Sequence, residues 1–335
     1  MRESENLRVI KSTYQQNPSG RDAVFWQRRF SPALRTGAGL LSERSGWILR
    51  ETREGGVFFG EVSPFPGLNE LPLGWEEKIR EWKVSGDRSA LGEEGALGFA
   101  SWCLQQSIPF RFQVQSAGLL QGNSLLPEKF DANSTWKVKI GMEDEQRERE
   151  KLEVLLRRAE PGVRFRLDAN QKLDVNGTAR WLNWMQGRPM VEFLEQPLPV
   201  GQEGFLMKEF GEDSVRLALD ESVRDARSLK QFMEMGWAGI FVVKPSLFGN
   251  LDALYSLKED FCPRIVVSSA FESGVGYAFV AKVASDLGSS QFAHGLGTRG
   301  CFQPDDLDGW TAGLPEVGEV TVGLLDSVYD NAIGR

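Results

Sequence analysis

The chain has 335 residues, 41% hydrophobic and 26% charged, enough for one large or two ordinary domains with a sizeable core. A net charge of −8 argues against nucleic acid or an anionic membrane as partner. The start lacks the apolar core of a signal peptide, and no apolar run approaches the roughly 18 residues of a membrane span. Three cysteines without C-x-x-C spacing fit the reducing cytoplasm and speak against a disulfide framework or a zinc site. The single histidine, His294, removes most imidazole chemistry and leaves carboxylates, lysines or a metal held by oxygen.

In chain order, residues 1–105 read as an α+β domain. "SGWILRETREGGVFFGEVSPFPG" (45–67) predicts two strands joined at Gly55–Gly56, with a Pro/Gly-rich loop after them. "GWEEKIREWK" (74–83) and "GALGFASWCLQQ" (95–106) are helix-like. From about residue 106 to 307, short apolar runs alternate with amphipathic segments: "FRFQVQ", "WKVKIG", "VRFRLDAN", "VEFLEQP", "VRLALDES", "GIFVVKPSLFG", "RIVVSSAFESG" and "QFAHGLGT". Strands alternating with helices indicate βαβ units and a parallel sheet. The acid-rich start of 142–158 suits a helix N-terminus, and the rest of its charge run suits a solvated face.

One polar group arrives near the end of each strand. Lys139, Asp168, Glu195, Asp220, Lys244, Ser268 and His294 recur every 24 to 29 residues. A further step back reaches Phe112–Val114 in "FRFQVQ" and makes eight strands. Eight such units close into a (β/α)8 barrel whose active site lies at the C-terminal strand ends. In "TWKVK", Lys137 and Lys139 share one face of a strand, so both ammonium groups point into the barrel mouth.

Asp168, Glu195 and Asp220 on successive strands would repel one another unless a cation sat among them. A donor set with no His or Cys suits a hard ion such as Mg²⁺. Lys139 and Lys244 come from strands on either side of the three acids. A lysine pKa of about 10.4 is too high for a base at neutral pH, and the metal and the Lys137 ammonium would lower it. Such a site suits removal of a proton α to a carboxylate, with the ion stabilising the enediolate. Any one of these residues is better explained as a surface ion-pair partner; five in phase with the strands are not. "GLGTRG" satisfies G-x-G-x-x-G, but no helix follows it and it opens no βαβ unit, so no dinucleotide cofactor is expected. His294 is expected in a loop packed under the cap. The segments 14–25 and 53–67 have the polar, Gly/Pro-bearing composition of mobile lids.

"KVKIG", "RLDANQ", "FLEQP", "LALDES" and "VVKPSLFG", in this order and spacing, resemble the enolase superfamily in its muconate-cycloisomerase-like branch, and within it most resemble the o-succinylbenzoate synthase family. The likeness covers nearly the whole chain. It implies a modified TIM barrel with an α+β capping domain, in which 308–335 returns to complete the cap and "GEVSPFPGLNE" forms a cap loop. It also implies that Asp168, Glu195 and Asp220 hold one Mg²⁺, that Lys139 is the general base and that Lys244 is a cation against the opposite face of the substrate. Asn170, Glu221 and Arg166 would then support the metal ligands or touch substrate. Ser268 and Ser269, with backbone N–H groups of the seventh-strand loop, would meet a succinyl carboxylate or else be ordinary strand-end serines, and Gly295 and Gly297 would let the last loop approach substrate or cap closely. The implied activity is a dehydration that yields an aromatic acid for menaquinone or phylloquinone synthesis, on a small carboxylate substrate. The same residues also serve racemases, with an N-succinylamino acid racemase as the nearest alternative. Dipeptide epimerases carry an Asp-x-Asp near the eighth strand, which "AHGLGTRG" lacks. Oligomeric state is not legible in the sequence.

Overall fold

The computed structural model describes residues 20–36, 39–68, 71–120, 130–257, 264–309 and 316–334. Three antiparallel strands come first: β1 (Arg21–Thr36), β2 (Gly39–Arg53) and β3 (Gly56–Val62). The β2–β3 turn falls at Glu54–Gly55, where Gly55 and Gly56 both take positive φ angles that other residues rarely adopt. Helices α1 (Trp75–Ser85) and α2 (Gly95–Cys103) cover this sheet. Trp47, Leu49, Val62, Trp82 and Leu97 form a core of their own beneath them. The segment 53–67, expected as a lid, is therefore mostly ordered structure: Phe59, Gly60, Glu61 and Val62 are buried in β3. Of the other expected lid, residues 14–19 lie outside the described residues and 21–25 belong to β1.

The next strand, β4 (Phe110–Gln113), corrects an expectation. It does not enter the barrel but pairs antiparallel with a C-terminal strand, β13 (Val317–Val320). The reason lies in its pattern. Phe112 and Val114 are buried while Arg111, Gln113 and Gln115 are exposed, the alternation of a ribbon wetted on one face. Barrel strands are covered on both faces and read as apolar runs or as inward polar groups. The first barrel strand is instead β5 (Ser116–Leu120), "SAGLL", whose small residues carry no strong strand signal.

Seven parallel strands complete the barrel: β6 (Thr135–Lys139), β7 (Arg164–Asp168), β8 (Val191–Glu195), β9 (Leu217–Leu219), β10 (Ile240–Val243), β11 (Ile265–Val267) and β12 (His294–Gly297). The order runs β11-β10-β9-β8-β7-β6-β5-β12. The parallel bridge Ser268–Gly295 joins the two end strands and closes the cylinder. The two strands approach closely at that bridge: a Cβ on Gly295 would sit 2.6 Å from Ser268 Oγ and 3.0 Å from Ser268 Cβ.

Helices α3 (Glu145–Arg158), α4 (Val175–Met185), α5 (Glu203–Phe210), α6 (Ala226–Glu234), the short α7 (Pro245–Phe248) and α8 (Asp252–Ser256), and α9 (Gly274–Leu287) connect the strands. The Asp144 carboxylate accepts the N–H groups of Gln146 and Arg147 and caps α3, as the acid-rich segment implies. Its charges mostly face solvent, but Glu148 is buried and accepts the N–H groups of Gly141, Met142 and Glu143. It thereby tethers the loop that follows Lys139. After the barrel, β13 and α10 (Val322–Ile333) return toward the N-terminal sheet, where Arg50 on β2 meets Asp326. Arg28 on β1, 2% exposed, pairs with Asp305 and Asp308. No helix among the described residues is long and apolar enough to cross a membrane.

Candidate active site

Lys139, Asp168 and Glu195 are the last residues of three neighbouring strands and are in register, each opposite the next. The backbone keeps that alignment past the strand ends: Ile140 donates its N–H to Asp168 O, Ala169 to Glu195 O, and Gln196 to Ala218 O. Asp220 and Lys244 follow β9 and β10 directly. All five side chains line one cavity of about 290 Å³ at the C-terminal mouth of the barrel, together with Lys137, Arg166, Asn170 and Glu221. Trp136 and Val138 face outward into the main core, so the alternation in "WKVKI" separates an apolar outer face from a cationic inner one.

Burial makes the charges interdependent. Asp168, Glu195 and Asp220 are at most 5% exposed. The Lys137 ammonium lies 3.0 Å from Asp168 Oδ2 and 2.7 Å from Glu195 Oε1, and Lys244 pairs with Asp220 Oδ1. Burial works against both ammonium groups, yet the carboxylates around them prevail and hold their pKa values above the ordinary lysine value. Glu195 goes the other way: burial and the Asp168 and Asp220 charges lift it to about 8 against the pull of Lys137. Lys139 differs from its neighbour two residues back. It donates to the neutral amide oxygen Asn170 Oδ1 at 2.9 Å. Burial, followed by opposing contributions from Asp168 and from the Lys137 charge, brings its pKa below that of an ordinary lysine.

The loops after the strands orient these groups. Asn170 sits at a positive φ of 46°, a conformation asparagine tolerates better than most residues. Its Nδ2 donates to Glu221 Oε1 at 3.0 Å, so Glu221, Asn170 and Lys139 form one chain of hydrogen bonds. Gln196, next to Glu195, drew no attention in the sequence. Its buried Oε1 accepts the Asp220 N–H at 2.9 Å and its Nε2 donates to Ser222 Oγ and Leu198 O. An amide directly after a strand-end acid, in "FLEQP", is the one signal that could have marked it.

Arg166 is buried inside the barrel, paired with Glu192 at 2.6 Å and stacked over Phe193. Ser268 and Ser269 line the cavity, but the Ser269 hydroxyl donates to Glu272 at 2.6 Å and accepts from Phe271 N–H and Thr298 Oγ1. The loop N–H groups are likewise occupied: Ser268 donates to Val243 O, Ser269 to Gly295 O, and Ala270 to Glu272 Oε1. Gly295 and Gly297 line the same cavity, and a Cβ at Gly297 would meet Ala117 O at 2.3 Å. His294 is not under the cap. It is buried at the start of β12, where Nδ1 accepts the Val267 N–H, and so it falls out of the series of strand-end groups. The apolar rim of the cavity comes from Leu34, Phe65, Leu68 and Phe271, and the exposed Arg224 reaches its edge. Leu34 carried no signal at all, being one apolar residue on a strand that only the fold brings to the mouth. A wider groove of about 940 Å³ flanks the cavity beside Leu71, Arg224 and Lys244.

Among the described residues no three His, Cys, Asp or Glu side chains already stand at metal-holding geometry. The donor chemistry nonetheless fits a hard divalent ion: three buried carboxylates on adjacent strands, one of them disfavouring its own ionisation through burial and then through the charges of the other two. Such a set, with ammonium groups at its edges, can stabilise negative charge on a bound carboxylate while a lysine moves a proton.

A family model described as "Enolase C-terminal domain-like" matches residues 129–299. The o-succinylbenzoate synthase of Thermosynechococcus vestitus is 30% identical over 283 residues, covering 79% of this chain and 87% of that one. That of Thermobifida fusca is 26% identical over 84% of this chain and 83% of its own. The crystal structure of o-succinylbenzoate synthase from Thermosynechococcus elongatus, complexed with Mg in the active site, superposes with a TM-score of 0.73 at 24% identity, covering 92% of this chain and 99% of that one. A dipeptide epimerase from Methylococcus capsulatus, complexed with Mg and a dipeptide, shares the fold with a TM-score of 0.63 at 18% identity, over 85% of this chain and 92% of its own. With a model spanning half of its length and a relative at 30% identity across most of both proteins, this chain belongs to the enolase superfamily and, within it, to the o-succinylbenzoate synthase family.

Proposed function

We propose that the protein dehydrates 2-succinyl-6-hydroxy-2,4-cyclohexadiene-1-carboxylate to o-succinylbenzoate, a step toward menaquinone or phylloquinone. The observation that carries this reading is the side-by-side register of Lys139, Asp168 and Glu195, with Asp220 and Lys244 on the next two strands around the same cavity. Asp168, Glu195 and Asp220 would hold one Mg²⁺. When bound, the ion supplies positive charge for the substrate carboxylate as negative charge builds there. Lys139 acts as the base: its neutral form takes the proton from the carbon bearing the carboxylate, and its lowered pKa favours that form. The chain Glu221–Asn170–Lys139 aims its nitrogen. The departing C–O bond pair leaves with the hydroxyl, the ammonium of Lys139 returns the proton to it, and water is lost as the ring becomes aromatic. Lys244 stays charged beside Asp220 and stabilises the electron-rich ring from the other side. Lys137 balances Asp168 and Glu195.

A second reading, racemisation of N-succinyl amino acids, draws on the same placement of lysines on both flanks of the acids. One assay separates them. Purified protein, with Mg²⁺ and after chelation, is offered the cyclohexadiene substrate and an N-succinyl amino acid in parallel. Metal-dependent dehydration, lowered by roughly 10²-fold to 10⁴-fold in Lys139→Ala, is expected. No dehydration by the wild type, or full activity in Lys139→Ala, would refute the assignment.

A further inference from the structure

The seventh-strand loop, 268–272, forms one wall of the cavity, and its polar groups are already in use. The Ser269 hydroxyl and the N–H groups of Ser268, Ser269, Ala270 and Phe271 all serve hydrogen bonds within the protein. What this wall offers a ligand is apolar surface, from Ala270 and Phe271, continued by Phe65 of the cap. One buried side chain holds both halves. Arg44 on β2 is 2% exposed; its Nε donates to Ala270 O at 3.1 Å, while its terminal nitrogens donate to Ser63 O at 2.6 Å and to Pro64 O. Its guanidinium lies 5.0 Å from the Phe65 ring centre. From the other side Glu272 accepts the Ala270 N–H at 2.9 Å, so both backbone groups of Ala270 are fixed by this oppositely charged pair. Glu272 also receives the hydroxyls of Ser246 and Ser269. Glu61, which accepts the N–H groups of Ser273 and Gly276, adds a second carboxylate facing Arg44.

We propose that Arg44 is a positioning residue: its planar fork ties the cap segment Ser63–Phe65 to the barrel loop at Ala270, and so sets the apolar wall against which the substrate ring lies. This rests on the dehydratase reading. A planar guanidinium reaches three carbonyls in different directions at once, which the point charge of a lysine does not.

The test compares wild type, Arg44→Lys and Arg44→Met by amide hydrogen exchange of segments 63–68 and 268–273, and by steady-state dehydration with Mg²⁺. Both segments should exchange roughly tenfold faster together in either variant, with the rest of the barrel unchanged and KM raised about tenfold while kcat moves much less. Wild-type protection and KM in Arg44→Lys would show that charge alone suffices and overturn the proposal. So would loosening of one segment only, or a fall in kcat with KM unchanged. Arg44→Lys decides the matter where Arg44→Met does not fold. Absence of wild-type dehydration would strike the functional reading, and the exchange comparison would still judge the tie.

Discussion

Replacing Lys137 with Met leaves two carboxylates, Asp168 and Glu195, 2% exposed and without the ammonium that lies 3.0 and 2.7 Å from them. Removing one partner of a buried ion pair costs about 3–5 kcal/mol, because the remaining charge stays buried. Over 335 residues the unfolding entropy is about 700 cal/mol/K, so that cost lowers Tm by about 4–7 °C. Lys139→Met is the internal control. Its ammonium donates to Asn170 Oδ1 and burial outweighs the acids around it, so its loss should cost less, about 1 kcal/mol, or about 1–2 °C. Two lysines two residues apart on one strand should thus separate: the first governs stability without metal, the second governs chemistry. Adding Mg²⁺ should raise Tm more in Lys137→Met than in wild type, since a divalent ion then supplies the missing counter-charge to the same acids. The measurement is thermal unfolding followed by tryptophan fluorescence, in chelator and in Mg²⁺. A Tm for Lys137→Met within about 1 °C of wild type, or an equal gain from Mg²⁺ in both proteins, would refute this account of the acidic cluster.

Two further outcomes follow from the same geometry. His294 is held at about 4, below its ordinary 6.5, first by burial and then by the Arg166 charge. Its contribution to stability is therefore complete above pH 6.5 and is lost as pH falls toward 4, about 3 kcal/mol in all. It is the single histidine of the chain, so one imidazole NMR signal should keep its neutral-form shift down to about pH 5; a midpoint near 6.5 would contradict its burial in β12. Gly297→Ala would drive a Cβ into Ala117 O and should cost about 1–3 kcal/mol by chemical denaturation, whatever it does to activity. An unchanged denaturation midpoint would mean that the eighth strand has room there.

The site was legible in the sequence because of a regularity of parallel barrels. Every strand points the same way, so a polar residue at each strand end, repeated at the length of one βα unit, arrives at one mouth. That is how Lys139, Asp168, Glu195, Asp220 and Lys244 could be singled out without coordinates, and why the apolar Trp136 and Val138 between the lysines belong to the outer face. The same periodic reasoning misplaced "FRFQVQ", since a half-wetted ribbon alternates as strongly as any strand, while β5, made of small residues, signals weakly. His294 fitted the interval but begins its strand instead of ending it.

Local spacing determined which groups face the barrel axis; it had no means of saying which of them pair. Only the closed cylinder put the Lys137 ammonium between Asp168 and Glu195, 31 and 58 residues away, and set the Lys139 ammonium on Asn170 Oδ1. The contact between Arg44 and Ala270 spans 226 residues. No period or motif links such positions, because hydrogen bonds and burial act through space, and distance in space is decided only when the cap has folded onto the barrel.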